Sequence, residues 1–292
     1  MRVRLLLCTV AIATLVAGSV SRAQRTGDPN PVLNRIVDHL TEYYARAQSL
    51  VGREEVTRQP IRVDFSFEGP PTRYTYRLRL DWIPPELDES PKATMMRELL
   101  TVNGRRPKPK DKPKCSQPKE TWDEPLAMFL REEREKYHFK WAGSGRMDGR
   151  ATVSLDFRER SEKKPADPET SWDKSDDEAC VSFSLPGRMY GRVWVDIQTG
   201  EVLRLDENVS GPVDIKVPRE QQKHWHTTSL TLDRWNRSIR YKQVRFDDPP
   251  ETIMLPESIQ VLSIMRGGAQ PMRVTQRFTD YRRFLTGGRL VE

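Results

Sequence analysis

The chain has 292 residues, of which 49 are Lys or Arg and 42 are Asp or Glu, for a formal charge of +7, with 36% hydrophobic and 31% charged residues. This balance excludes a bundle of membrane-spanning helices, which needs far more apolar sequence, and a wholly disordered chain, which carries far less. It fits a single domain with an extensive wet surface.

At the N-terminus, Arg2 and Arg4 precede an apolar stretch over residues 5–16, and Ser21, Arg22 and Ala23 form a small-x-small site. The pattern predicts a secretory signal over residues 1–23, cut after Ala23, because the apolar stretch falls short of the roughly 20 residues that cross a bilayer. Arg2, Arg4 and Arg22 leave with it, so the remaining chain, residues 24–292, is less basic than the total. It keeps Cys115 and Cys180. In an oxidising compartment, periplasmic or extracellular, two cysteines most simply pair.

Over residues 31–51, Leu33, Ile36, Val37, Leu40, Tyr43, Tyr44, Ala47, Leu50 and Val51 recur at steps of three and four, the stripe of an amphipathic helix. Asn30 supplies the N-cap, Pro31 the first helical position and Gly52 the stop. Beyond it the period becomes two. Ile61, Val63, Phe65 and Phe67 alternate with polar residues, and after Gly69 and Pro70, Tyr74, Tyr76, Leu78, Leu80 and Trp82 alternate with Arg73, Thr75, Arg77, Arg79 and Asp81. Alternation of this kind predicts antiparallel strands with one solvated face. Tyr137, Phe139 and Trp141 predict another strand, followed by turns at residues 143–145 and 148–149 and a strand carrying Val153, Leu155 and Phe157. A hairpin over residues 191–206 turns at Gln198, Thr199 and Gly200, and strands over 238–246, 258–266 and 272–284 follow, the last two joined through Gly267 and Gly268. About ten strands exceed what a flat open sheet carries without curling. The expected fold class is α+β: a strongly curved antiparallel sheet, an unclosed β-barrel, covered by the N-terminal amphipathic helix and by a second helix. That second helix starts at a capping box, Thr121 to Glu124, and continues through Leu126, Phe129 and Leu130.

Two segments lack any period. Residues 105–120 carry seven basic and two acidic side chains, and residues 161–179 carry seven acidic and three basic ones. They are expected to be charged insertion loops of a single half-barrel domain over residues 24–292. Their opposite charges draw them together, and Cys115 and Cys180 are expected to form a disulfide closing a loop of about 65 residues, worth roughly 2–4 kcal/mol.

The search for chemistry finds no G-x-S-x-G elbow, phosphate loop, dinucleotide fingerprint or H-E-x-x-H pair. His224 and His226 on a strand would point the same way, as metal ligands do, but no carboxylate or cysteine near them in sequence completes a set. No catalytic residue, metal or cofactor is therefore expected; a hydrolase with a scattered site is the remaining catalytic alternative. The basic run over residues 105–114 suits anionic phosphates, but an exported chain rarely meets nucleic acid and the acidic loop can partner the run, so no nucleic-acid partner is expected. The apolar investment lies on the sheet. If Tyr74, Tyr76, Leu78, Leu80 and Trp82 share a face with Val153, Leu155 and Phe157, a single helix covers only part of it. The remainder is a groove for an apolar or acylated ligand, unless helices and loops fill the whole face.

The order of a leader, an amphipathic helix and a long run of antiparallel strands, together with residues 191–204 (GRVWVDIQTGEVLR), resembles the outer-membrane lipoprotein carrier superfamily. A hairpin of the form Val or Ile, Asp, x, x, Thr, Gly, x, Val, x, Arg is common there. Residues 33–59, 99–104 (LLTVNG) and 278–284 (FTDYRRF) are similar to exported bacterial proteins of this fold. The resemblance implies an unclosed β-barrel whose concave side is lidded by helices and receives the lipid chains of a lipoprotein crossing the periplasm, with no catalytic residue. The length and the two charged insertions depart from the small carriers, and related sheets also serve as sensors and as parts of envelope complexes. The expected function is that of an exported, non-enzymatic binding protein handling an apolar or acylated ligand, lipid or lipoprotein, at the cell envelope. The alternative is an envelope interaction or sensor module that uses the same sheet without lipid.

Overall fold

The computed structural model describes residues 27–46, 50–83, 92–111, 125–160, 167–173, 180–247 and 250–283. The expected signal over residues 1–23 lies outside them, as do Cys115, the capping box and most of the basic insertion.

Helix α1 spans Asn30–Arg46 and buries Leu33, Ile36, Leu40, Tyr43 and Tyr44 of the expected stripe, together with Val32, while Val37 is half-buried. It ends earlier than expected. Leu50 and Val51 already belong to strand β1, Leu50–Pro60, and Gly52 lies inside that strand instead of stopping the helix. The strands that follow are β2 (Thr72–Ile83), β3 (Lys92–Val102), β4 (Tyr137–Met147), β5 (Arg150–Glu159), β6 (Glu169–Asp173), β7 (Cys180–Ser184), β8 (Met189–Asp196), β9 (Val202–Val209), β10 (Val213–Lys216), β11 (Ser229–Asp247), β12 (Pro250–Arg266) and β13 (Met272–Arg283). Helices α2 (Arg131–Arg134) and α3 (Arg219–Trp225) are short.

The main sheet is antiparallel in the order β3-β2-β1-β13-β12-β11-β9-β8-β5-β4, with β10 paired to β11. Among the described residues β3 and β4 are free edges, so the sheet curves without closing, the α+β half-barrel expected. Its inner face packs on α1 and on a 3-10 turn, Pro125–Phe129, which buries Leu126, Met128 and Phe129. This turn and α2 stand where the second helix is expected. The core they close holds Val153, Leu155 and Phe157 of β5, Val193 and Val195 of β8, Leu205 of β9, Ile259 of β12 and Phe278 of β13.

Several expectations need correction. Residues 61–67 are not a strand: β1 and β2 pair directly, Leu50 with Leu80 through Arg58 with Thr72, so these residues belong to the connection that reverses the chain. Gly143 and Gly145 lie within β4, where a register shift between Trp141 and Gly143 against β5 absorbs the irregularity; the turn is at Asp148 and Gly149 alone. Part of the acidic insertion is a strand, since β6 pairs with β7. Cys180 opens β7, while its expected partner Cys115 lies outside the described residues. The histidine pair is not on a strand either, because α3 ends at Trp225 and His226 takes a left-handed φ of 51°. Among the described residues no helix is long and apolar enough to cross a membrane.

Candidate functional site

Strand β1 lies between β2 and β13, and its register sets the site. Leu50 opposes Leu80, Gly52 opposes Leu78 and Glu54 opposes Tyr76, which puts all six on one face, the face α1 covers. On the other side of β1, Glu54 opposes Phe278. Where the last turn of α1 meets these strands there is a cavity of ≈ 20 Å³ lined by Tyr43, Leu50, Val51, Gly52, Leu78, Leu80, Leu255, Pro256, Phe278 and Tyr281. No charged side chain lines it. The Tyr281 hydroxyl donates to the Pro256 carbonyl at 2.8 Å, and burial pushes its pKa well above the usual phenol range, so the wall stays neutral. A Cβ on Gly52 would stand 3.3 Å from the Tyr281 ring, so a larger residue here would press that ring outward by a few tenths of an ångström. The volume suits about one water.

Leu78 and Leu80 of the expected apolar face thus meet at this cavity. Tyr76 and Tyr74 continue the same face of β2 with rings stacked 6.3 Å apart, and the side chain of Trp82 lies outside the described residues. Val153, Leu155 and Phe157 stand elsewhere on the inner face, at 0%, 0% and 3% exposure. The Phe157 ring meets Tyr137 edge-on at 6.1 Å, and Phe129 packs on Phe139 at 5.8 Å. This end of the inner face is closed by aromatic packing.

Beside the cavity sits a charge that the sequence reading passed over. Glu54 is fully buried; Arg97 approaches it through Nε at 2.7 Å, and the Gln276 side-chain amide donates to it at 2.9 Å. Burial raises the carboxyl pKa above its usual value, and the attraction of Arg97 with the hydrogen bonds from Gln276 and Arg97 only partly offsets it. Burial, with the negative charge of Glu54, also pushes the neighbouring Tyr76 phenol up to about 12. A signal existed: Leu50, Gly52, Glu54 and Val56 occupy alternate positions, and three of the four are the small or apolar residues an inner face takes.

The hairpin that carries the family resemblance has a structural explanation. Asp196 accepts the backbone N–H groups of Gln198 at 2.7 Å and Thr199 at 2.9 Å and Nε of Arg150 at 2.7 Å. Burial alone would raise the Asp196 pKa, but these donors together hold it below the usual carboxylate range. Arg150 also pairs with Glu201, which the Gln243 amide reaches at 3.2 Å. Gly200 has φ 77°, and a Cβ there would fall 2.4 Å from the Arg35 carbonyl oxygen; the Arg35 side chain donates to the Ile197 carbonyl. The Asp and Gly of the motif therefore shape a turn that seats against α1.

The opposite face of β4, β5, β8 and β9 carries a groove of ≈ 790 Å³ whose lining includes His138, Lys140, Asp156, Tyr190, Arg192 and Trp194. Both its acids are paired: Arg192 grips Asp156 through two bonds of 2.6 and 3.1 Å, and Arg204 donates to Asp206 at 2.7 Å. This is the solvated face of the alternating strands. Among the described residues no three His, Cys, Asp or Glu side chains converge as a metal site would require.

No family model matches the chain, and no curated protein matches its sequence. Among solved structures it is similar to a LolA superfamily protein from Nitrosomonas europaea, at 11% identity and a TM-score of 0.34 over 87% of this chain and 94% of that one. It is also similar to an outer membrane lipoprotein-sorting protein domain from Vibrio parahaemolyticus, at 10% identity and a TM-score of 0.35 over 87% and 94%. A DUF1329 family protein from Desulfovibrio piger is similar at 9% identity and a TM-score of 0.39 over 90% and 96%.

Proposed function

We propose that the protein is an exported, non-enzymatic binding protein that takes an apolar or acylated ligand, a lipid or a lipoprotein's acyl chain, on the inner face of the half-barrel at the cell envelope. The observation that supports this is the cavity at the end of α1, walled by ten residues without a charge. Apolar surface with neutral, hydrogen-bonded polar atoms is what a hydrocarbon chain requires. At ≈ 20 Å³ the space is too small for an acyl chain as it stands, so an acyl chain enters as α1 gives way, its own apolar stripe being exchanged for the ligand. The expected Cys115–Cys180 bridge belongs to the same proposal, as the tie between the charged insertions in an oxidising compartment; alkylation of the unreduced, denatured protein should label neither cysteine, and labelling of both would remove the bridge.

The small size of that space favours a second reading, an envelope interaction or sensor module with a permanently filled interior. Mass spectrometry of the gently purified protein, with titration by a fluorescent fatty acid, separates the two. Copurified lipid or saturable uptake supports the binding protein, whereas a lipid-free protein that takes up no probe leaves the interaction module.

A further inference from the structure

The connection between β1 and β2 displays apolar side chains in a way that the inner-face site does not explain. Val63, Phe65 and Phe67 are 68%, 41% and 62% exposed, three of the five large hydrophobic residues so exposed among the described residues. They lie within five positions of one another, in a segment where residues 62–70 are all exposed. The segment is nevertheless built to hold its shape. Ile61 pairs with Phe67 in an isolated bridge, the Arg62 N–H donates to the Ser66 carbonyl and the Phe65 N–H to the Arg62 carbonyl, each at 2.9 Å, and Asp64 accepts both the N–H and the hydroxyl of Ser66. At its root Ile61 is fully buried and bonded to Pro271. Phe65 takes a φ of 68°, a conformation unfavourable for a bulky residue, so the display persists against a steric cost as well as exposure to water.

Cations accompany the rings. The guanidinium of Arg234 lies 5.5 Å from the Phe65 ring centre and that of Arg273 lies 5.7 Å from that of Phe67, and neither arginine forms an ion pair among the described residues. Arg62 and Arg73 belong to the same end of the sheet, so four arginines stand against the turn's two acids, Asp64 and Glu68, which accept from Ser66 and Gln270. Aromatic tips among arginines match the boundary of an anionic bilayer, where rings sit at headgroup depth and guanidinium groups meet phosphates. A protein partner of ordinary affinity covers about 800 Å² a side, more than three side chains on one turn supply.

We infer that this turn is a docking element through which the protein attaches to an anionic lipid surface, its Phe65 and Phe67 rings entering the headgroup layer and Arg234 and Arg273 contacting phosphate. The inference does not depend on the ligand proposed for the inner face. The test is flotation of the full chain with vesicles of phosphatidylglycerol and phosphatidylethanolamine, or of phosphatidylcholine alone, at low and raised salt. Binding to the anionic vesicles only, weakened by salt, is expected. The pairs Phe65→Ser with Phe67→Ser and Arg234→Gln with Arg273→Gln should each weaken it about tenfold or more, while Met96→Ser, an exposed apolar residue of the β3 edge, leaves it unchanged. Val63→Ser, at the most exposed position, gives a second readout should a pair misfold. Absence of binding to the anionic vesicles, equal binding to phosphatidylcholine, or indifference to the turn variants would overturn the inference. So would self-association of the chain that the phenylalanine pair abolishes without any vesicle binding, which would assign the turn to a second copy.

Discussion

Two carboxylates of this protein respond to burial in opposite ways, and the neighbours decide which. Glu54 has one arginine and one amide, and its pKa stays raised; Asp196 has two backbone N–H groups and an arginine, and its pKa is lowered. The native state therefore binds the Glu54 proton more tightly than the unfolded chain does. Stability contributed at this site is greatest at low pH and declines as pH rises from about 4.5 through the raised native value. Glu54→Gln removes the titration, so the melting temperature of the native protein relative to this variant should fall between about pH 4.5 and neutrality; a difference that rises with pH would contradict the assignment. Asp196 has the reverse sign: its contribution is present above the unfolded value of about 3.8 and is lost as pH falls through the lower native one. Asp196→Asn retains the shape but turns a carboxylate that accepts two N–H groups into a weaker acceptor facing Arg150. It should cost about 1–3 kcal/mol in urea denaturation at pH 7, a cost that shrinks toward pH 3.

Strands differ in what lies on their inner face, and that difference separates packing from binding. Leu155 of β5 has no exposed surface, whereas Leu80 of β2 is half-buried and lines the cavity. Leu155→Glu should leave no cooperative melting transition, while Leu80→Glu should retain one and lose uptake of a fluorescent fatty acid; uptake preserved in a folded Leu80→Glu protein would remove the cavity from the site. The same contrast explains how much of the fold was legible. In the β8–β9 hairpin the alternation of Val193 and Val195 agrees with the turn chemistry of Asp196 and Gly200, so period and turn point to one structure. In β1 the period is present, but Gly52 and Glu54 occupy inward positions, and a buried acid reads as a wet residue until its arginine and amide, forty-three and more than two hundred residues away, are known. Residues 61–67 show the converse. Their apolar alternation mimics a strand, yet the direct pairing of β1 with β2 leaves them in the turn. The apolar face of β2 was readable from sequence, but its meeting with β12 and β13 around a cavity depends on register between the two ends of the chain.

Those two ends meet at one seam. Leu50 lies opposite Arg283, and β1 is linked to the body of the sheet through β13 alone, the strand order running β3-β2-β1-β13-β12. The pairs β1–β2 and β12–β13 are local and can form separately, but their junction closes a loop of most of the chain, which entropy disfavours. On the β13 side the junction also holds little buried surface of its own. Of the twelve residues of β13 only Phe278 is buried, whereas β5, β8 and β9 contribute Val153, Leu155, Val193, Val195 and Leu205 with no exposed area. The cavity straddles this seam, with Leu50, Leu78 and Leu80 on one side and Leu255, Phe278 and Tyr281 on the other. A region that opens at low free-energy cost beneath a helix is where a packed interior can admit a chain without unfolding the rest. Native-state hydrogen exchange should therefore show the amides of β1 and β13 opening at lower free energy than those of β5, β8 and β9. Saturation with a long-chain fatty acid should slow exchange at β1, β13 and α1 and leave β5 unchanged. Uniform protection across the sheet, or fatty-acid protection confined to β5 and β8, would move the entry point away from the seam.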